Sequence, residues 1–119
     1  MTTGRRASGL KRGDVILVPF PFAELTATRS RPAVVVSGDQ YHRTERKIIV
    51  AAITSNIQAR TGPTNFQLTE WRKSGLLKPS VVTCWLATLS PALVLVRIGA
   101  LSGPDLQTVA SKIRLALGV

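Results

Sequence analysis

The fold turns on residues 28–37, Thr28-Arg29-Ser30-Arg31-Pro32-Ala33-Val34-Val35-Val36-Ser37. Ala33 to Val36 is short, apolar and β-branched, the pattern of a buried strand. Pro32 fixes its own φ and biases the preceding Arg31 toward an extended conformation. This reading places Arg31 where a loop becomes a fixed strand, which suits a guanidinium that must be aimed. The same residue could equally close a strand end and point into water.

Working outward, similar strand patterns recur. Val15 to Phe20 is an apolar strand entered from Gly13-Asp14, and Pro19 and Pro21 place its end at a sheet edge or bend. Phe22 to Ser30 has no clear period and reads as a loop, and Ser37-Gly38-Asp39 closes the second strand. Lys47 to Ile53 is a third strand, ended by the short polar side chains of Thr54-Ser55-Asn56. A second loop, residues 57–63, leads to Asn65-Phe66-Gln67-Leu68, which alternates like a half-buried strand. Residues 69–75 read as one helical turn stopped by Gly75. Ser80 to Trp85 and Leu93 to Ile98 complete the strands. The last segment is the one long helix. Ser102 caps it, Pro104 suits its first turn, and Asp105 stands three after the serine as in a capping box. Leu106, Val109, Ala110, Ile113, Ala116 and Leu117 recur at helical spacing, and Gly118 stops them. The fold expected is mainly β with a C-terminal helix, a small antiparallel barrel. Strands this apolar need cover on both faces, from closure, the helix or a second subunit.

The chain has 119 residues, which suits one domain over 11–119 behind a short basic tail, residues 1–10. No apolar run reaches the roughly 20 residues that span a bilayer, and the start lacks the apolar core of a signal peptide. Cys84 is the only cysteine and His42 the only histidine, so neither an internal disulfide nor an ordinary Cys/His zinc site is expected. A reducing compartment, the cytoplasm, fits this usage. Sixteen Lys and Arg stand against six Asp and Glu, a net charge of +10. Arginine offers a planar fork of donors that matches phosphate and stacks on bases, so nucleic acid is favoured over a membrane surface as partner.

Few catalytic constellations are possible. There is no P-loop, no dinucleotide turn and no metal-ligand cluster, and no cofactor is implied. The six acids are scattered, His42 reads as a surface residue beside Arg43, and Cys84 reads as buried and inert. Chemistry on RNA needs the least machinery, because RNA carries its own nucleophile, the 2′-hydroxyl. An enzyme must align it, help a proton leave and stabilise the added negative charge. Arg31 and the Thr54-Ser55 pair, at strand ends, are the candidates.

Four stretches in register, Arg12 to Val18, Arg31 to Ser37, Ile53-Thr54-Ser55 and Gly75 to Val82, resemble the MazF/PemK-type toxins of bacterial toxin–antitoxin pairs. The resemblance implies an endoribonuclease that needs no metal, cuts single-stranded RNA at short sequences and leaves a 2′,3′-cyclic phosphate and a 5′-hydroxyl. It implies the SH3-like barrel shared with CcdB-type toxins, a homodimer, and an acidic antitoxin as partner. By position, Arg31 would stabilise the phosphate and Thr54 would contact it, while Ser55, Phe66 and Thr83 would line the RNA groove. Arg29, Asn56 and Ser80 adjoin these positions and are expected to touch RNA with them. The chain departs from the family where some members carry an aspartate, here Trp85, and an arginine, here Thr83. The general base is then unassigned, with Glu24 in the first loop as candidate. Two alternatives stand beside this reading. One is a catalytically dead RNA- or antitoxin-binding module. The other is a gyrase inhibitor of CcdB type, which the C-terminal Ala116-Leu117-Gly118-Val119 does not resemble.

Overall fold

The computed structural model describes residues 9–20, 29–59 and 61–119. Glu24, most of the first loop and residues 1–8 of the basic tail lie outside the described residues. Six strands, β1 (Asp14–Phe20), β2 (Arg29–Val35), β3 (Ile48–Thr54), β4 (Phe66–Gln67), β5 (Val81–Leu89) and β6 (Val96–Ala100), accompany two helices, α1 (Asp39–Glu45) and α2 (Gly103–Leu117). The strands form one antiparallel sheet in the order β4-β5-β3-β2-β1-β6, curled into a half-barrel with α2 at the C-terminus. Among the described residues no helix is long and apolar enough to cross a membrane.

The period-2 alternation of the strands makes two cores, one on each face. Val15, Val34 and Ala51 face a core closed by Leu68, Leu76 and Val109, so α2 covers that side. Ile16, Val35 and Val50 face the other, closed by Leu10, Leu89 and Val94. Helix α2 begins as expected: Ser102 Oγ accepts the Asp105 N–H at 3.2 Å. It ends at Gly118, whose φ of 75° turns its N–H onto the carbonyls of Arg114 and Leu115. The Asp105 carboxylate does not return to the cap. It is 2 % exposed and reaches across to the segment after β4. There it accepts the Thr69 hydroxyl at 2.7 Å and the amides of Thr69 and Glu70 at 3.1 and 3.0 Å. Glu70 pairs with Lys73 at 3.1 Å. That bond, with help from the Ser102 hydroxyl, lowers the Glu70 carboxyl below its ordinary range.

One backbone crossing shapes the sheet end. Gly75 has φ of 89°, and a Cβ there would overlap the Ile98 carbonyl; a Cβ on Gly99 would overlap the Ser74 carbonyl. The turn at residues 71–75 therefore lies backbone to backbone on a bulge of β6, where Val15 faces Gly99 but Ile16 faces Arg97. Residues 70–75 form the expected turn, with the Ser74 N–H bonded to Glu70 O and the Gly75 N–H to Arg72 O.

Several details differ from the sequence reading. Strand β5 runs on past Trp85 to Leu89, and β6 begins only at Val96 because Pro91–Leu93 forms a short 3-10 turn capped by Ser90. Strand β2 begins at Arg29, so Arg31 lies inside it, opposite Val18, and not at its mouth. The segment Asp39–Glu45 is helical, because the Gly38 carbonyl accepts the His42 N–H directly after the strand ends. His42 is buried, not a surface residue: its Nε2 lies 2.7 Å from Ser37 Oγ. Cys84 is half-buried, with Sγ 3.4 Å from the Thr64 carbonyl; burial pushes its thiol pKa up and the Lys112 charge opposes this.

Three outcomes follow from the packing. Gly99→Ala forces two backbones apart and should cost about 2–3 kcal/mol in chemical denaturation, whereas the open Gly38→Ala should change stability little. Asp105→Ala removes the buried acceptor of two amides and a hydroxyl and should cost about 2–3 kcal/mol by the same measurement. Iodoacetamide at neutral pH should alkylate Cys84 several-fold more slowly in the folded chain than in urea, because less of the folded thiol is thiolate.

Candidate nucleic-acid interface

The site begins where one ladder stops. In β2 the Val36 N–H reaches Ile49 O, so alternate residues, Val34 and Pro32, turn their backbone toward β3. Pro32 has no N–H to give. The β2–β3 pairing ends one residue earlier, at Ala33 opposite Ala52. Continued past this point, the register would set Pro32 against Ile53 and Arg31 against Thr54. The two strands instead part, and a cavity of about 230 Å³ opens between them, lined by Arg31, Ala52, Ile53, Thr54, Asn56, Thr83 and Trp85. Arg31 and Thr54 thus share one face and one cavity, although 23 positions separate them in sequence.

Strand β5 closes the far wall with a bulge. Ala51 faces Leu86 but Ile53 faces Val82, so β5 carries two extra residues. The Thr83 side chain repairs the ladder there: its hydroxyl donates to Ala52 O at 2.9 Å and accepts the Trp85 N–H at 3.2 Å. On the β3 side the Thr54 hydroxyl accepts the Asn56 N–H at 3.1 Å, which sets the start of the turn beyond the strand.

A second, larger cavity of about 520 Å³ lies across the same strand ends. Leu17, Pro32, Ile53, Leu76, Leu77 and Ile98 give it apolar walls, and Arg29, Arg31, Lys78, Ser30, Ser55 and Ser80 give it cations and hydroxyls. The Gly75–Gly99 crossing brings Leu77 and Lys78 to this cavity. No carboxylate or imidazole is among the described residues lining either cavity. A concave surface with three cations and no acid favours an anion.

The expected site residues distribute unevenly over this surface. Arg31, Thr54 and Asn56 meet in the smaller cavity, and Arg29, Ser55 and Ser80 line the larger. Ser80 is nearly buried, its hydroxyl donated to Lys78 O at 2.8 Å. Thr83 lines the smaller cavity but its hydroxyl is engaged in the bulge. Phe66 lines neither; it packs on the α2-side core. Glu24 is outside the described residues. Sequence reasoning missed Lys78, Leu77 and the exposed Trp85 as lining groups. The available signal was Trp85 itself, a large aromatic in the strand that follows Pro79-Ser80.

Comparison with known proteins follows the same outline. A family model described as PemK-like, MazF-like toxin of type II toxin–antitoxin systems matches residues 11–117. A search of curated proteins found no match. Among solved structures, an endoribonuclease in complex with its cognate antitoxin, from a mycobacterial species, superposes with a TM-score of 0.74 at 19% identity, over 92% of this chain and 95% of that one. The Mycobacterium tuberculosis toxin MazF-mt6 gives 0.71 at 20% identity over 89% and 97% of the two chains. MazF from Deinococcus radiodurans gives 0.71 at 20% identity over 92% and 96%. These likenesses establish a shared fold, and the sequence match over nearly the whole chain establishes more: this protein belongs to the PemK-like, MazF-like toxins of type II toxin–antitoxin systems.

Proposed function

We propose that the chain is an endoribonuclease toxin that cuts single-stranded RNA without a metal ion, using Arg31 and Thr54 on the scissile phosphate. The observation that carries this reading is their meeting in one cavity at the broken end of the β2–β3 ladder, with Arg29 and Lys78 close by and no carboxylate among the described residues that line it. The 2′-oxygen attacks the adjacent phosphorus and loses its proton. The bond from phosphorus to the 5′-oxygen breaks, and that oxygen takes a proton. The products are a 2′,3′-cyclic phosphate and a 5′-hydroxyl. Arg31, held extended in β2 by Pro32, stabilises the charge that builds on the non-bridging oxygens. Thr54, whose oxygen already accepts the Asn56 amide, keeps its proton to donate to one of them. No carboxylate or imidazole stands among the described cavity residues, and Glu24 of the first loop, outside them, is the candidate base.

The toxin acts as a homodimer in this reading. Leu93 and Leu95, just before the edge strand β6, and Val96, its first residue, are 44%, 58% and 48% exposed and call for cover. Its antitoxin is acidic and lays an extended segment over the same cations, because carboxylates and phosphates suit the same guanidinium forks.

Purified protein mixed with unstructured RNA in excess EDTA should yield fragments ending in cyclic phosphate. Arg31→Ala should lower the rate by about 10²–10³, and Thr54→Val by less. Fragments with 5′-phosphates, or cutting only with added magnesium, overturn the chemistry. Binding without cutting favours the dead-module alternative. RNA and the acidic antitoxin segment should compete in a titration, and an antitoxin affinity unchanged by saturating RNA removes the occlusion.

A further inference from the structure

Trp85 has no role in the chemistry above, yet it is the largest side chain on the wall of the Arg31–Thr54 cavity. It is 51% exposed. Most exposed aromatics are incidental, but three features set this one apart. Its position is built: the two-residue bulge of β5 lifts residues 83–85 out of the ladder, and Thr83 Oγ1 fixes the Trp85 amide. Its face is right: alternation along β5 puts Trp85 on the side of Ala87 and Leu89, the face to which Arg31 and Thr54 also belong. Its neighbours are right: the cavity offers a cation and a hydroxyl for a phosphate, and beside them the exposed indole offers the surface on which a base stacks.

We propose that Trp85 is a stacking platform for the nucleobase next to the phosphate held by Arg31 and Thr54. This rests on the ribonuclease reading and adds a base subsite to it. An unpaired nucleotide presents a phosphate and, one sugar away, an aromatic face. The cavity matches that pair of features in one small volume. Stacking on a rigid indole accepts any base, with purines held more firmly because they overlap more of the ring, so Trp85 contributes affinity and placement more than sequence readout. A base splayed onto Trp85 also unstacks the chain at the reacting phosphate, which restricts the site to single-stranded RNA. Because the bulge holds the Trp85 backbone in place before RNA arrives, little ordering is left for the moment of binding.

The test separates stacking from charge. A fluorescein-labelled hexanucleotide with a 2′-deoxy residue at the cleavage position cannot be cut, and its affinity is read by anisotropy. A matched oligonucleotide is abasic at the one nucleotide that stacks, identified by scanning the abasic position. Trp85→Ala should weaken binding of the intact oligonucleotide roughly ten-fold and leave the abasic one unchanged, whereas Trp85→Phe should keep most of the affinity. The loss should not change the salt dependence of binding. Arg31→Ala, in contrast, should weaken both oligonucleotides alike and flatten the salt slope by about one counterion. Equal losses for intact and abasic oligonucleotides, or no loss on Trp85→Ala, overturn the stacking role while leaving the ribonuclease reading standing. If the wild-type chain binds neither oligonucleotide, both proposals fall together.

Discussion

A missing backbone proton governs the arrangement of this site. Pro32 turns its nitrogen toward β3, has no hydrogen to offer, and the β2–β3 ladder stops at Ala33–Ala52. A residue with an N–H at that point could extend the pairing to Ile53 and bring the strands together where Arg31 and Thr54 now stand across a gap. The proline also fixes the extended backbone that carries Arg31. One residue therefore opens the cavity and aims the cation that the cavity needs. Pro19 on β1 obeys the same logic harmlessly. It lies past the last β1–β6 pair, Leu17–Val96, so its missing proton disturbs no bond.

The rest of the structure holds the gap open and furnishes its walls. The β5 bulge would leave the Ala52 carbonyl without a ladder partner, and the Thr83 hydroxyl takes that place. The Gly75–Gly99 crossing carries Leu77, Lys78 and Ser80 to the other side of Arg31. That crossing depends in turn on the turn at residues 70–75, which the Asp105 carboxylate of α2 ties down through Thr69 and Glu70. The C-terminal helix thus acts on the site from a distance, by fixing the segment that brings a lysine to it.

The strands and the terminal helix were legible because their signals are local: β-branched runs for β2 and β3, and helical spacing behind a serine cap for α2. The cation Arg31 and the hydroxyl of Thr54 were legible as candidates from their places beside those runs. Their meeting was not, since it depends on a register that no single segment carries. Helix α1 was missed because Asp39–Glu45 has no apolar stripe; only His42 of its side chains is buried, and on a serine rather than in a core. The same lack of pattern hid the burial of His42. Phe66, expected in the groove by position, stands in the two-residue edge strand β4, packs partly buried against the α2-side core and lines neither cavity. A carboxylate that could serve as base is absent from the described residues of both cavities, and the candidate Glu24 lies outside the described residues.

Central to this account is that a phosphate sits between Arg31 and Thr54. The most direct measurement is a nitrogen–proton NMR titration of the wild-type chain with an oligonucleotide made uncleavable by a 2′-deoxy residue. The account predicts that the Arg31 side-chain Nε–H and the Thr54 and Asn56 amides shift first and furthest, with Trp85 Nε1–H following, while α2 stays still. Shifts confined to α2 or to the β6 edge, with Arg31 and Thr54 unmoved at saturation, would contradict it.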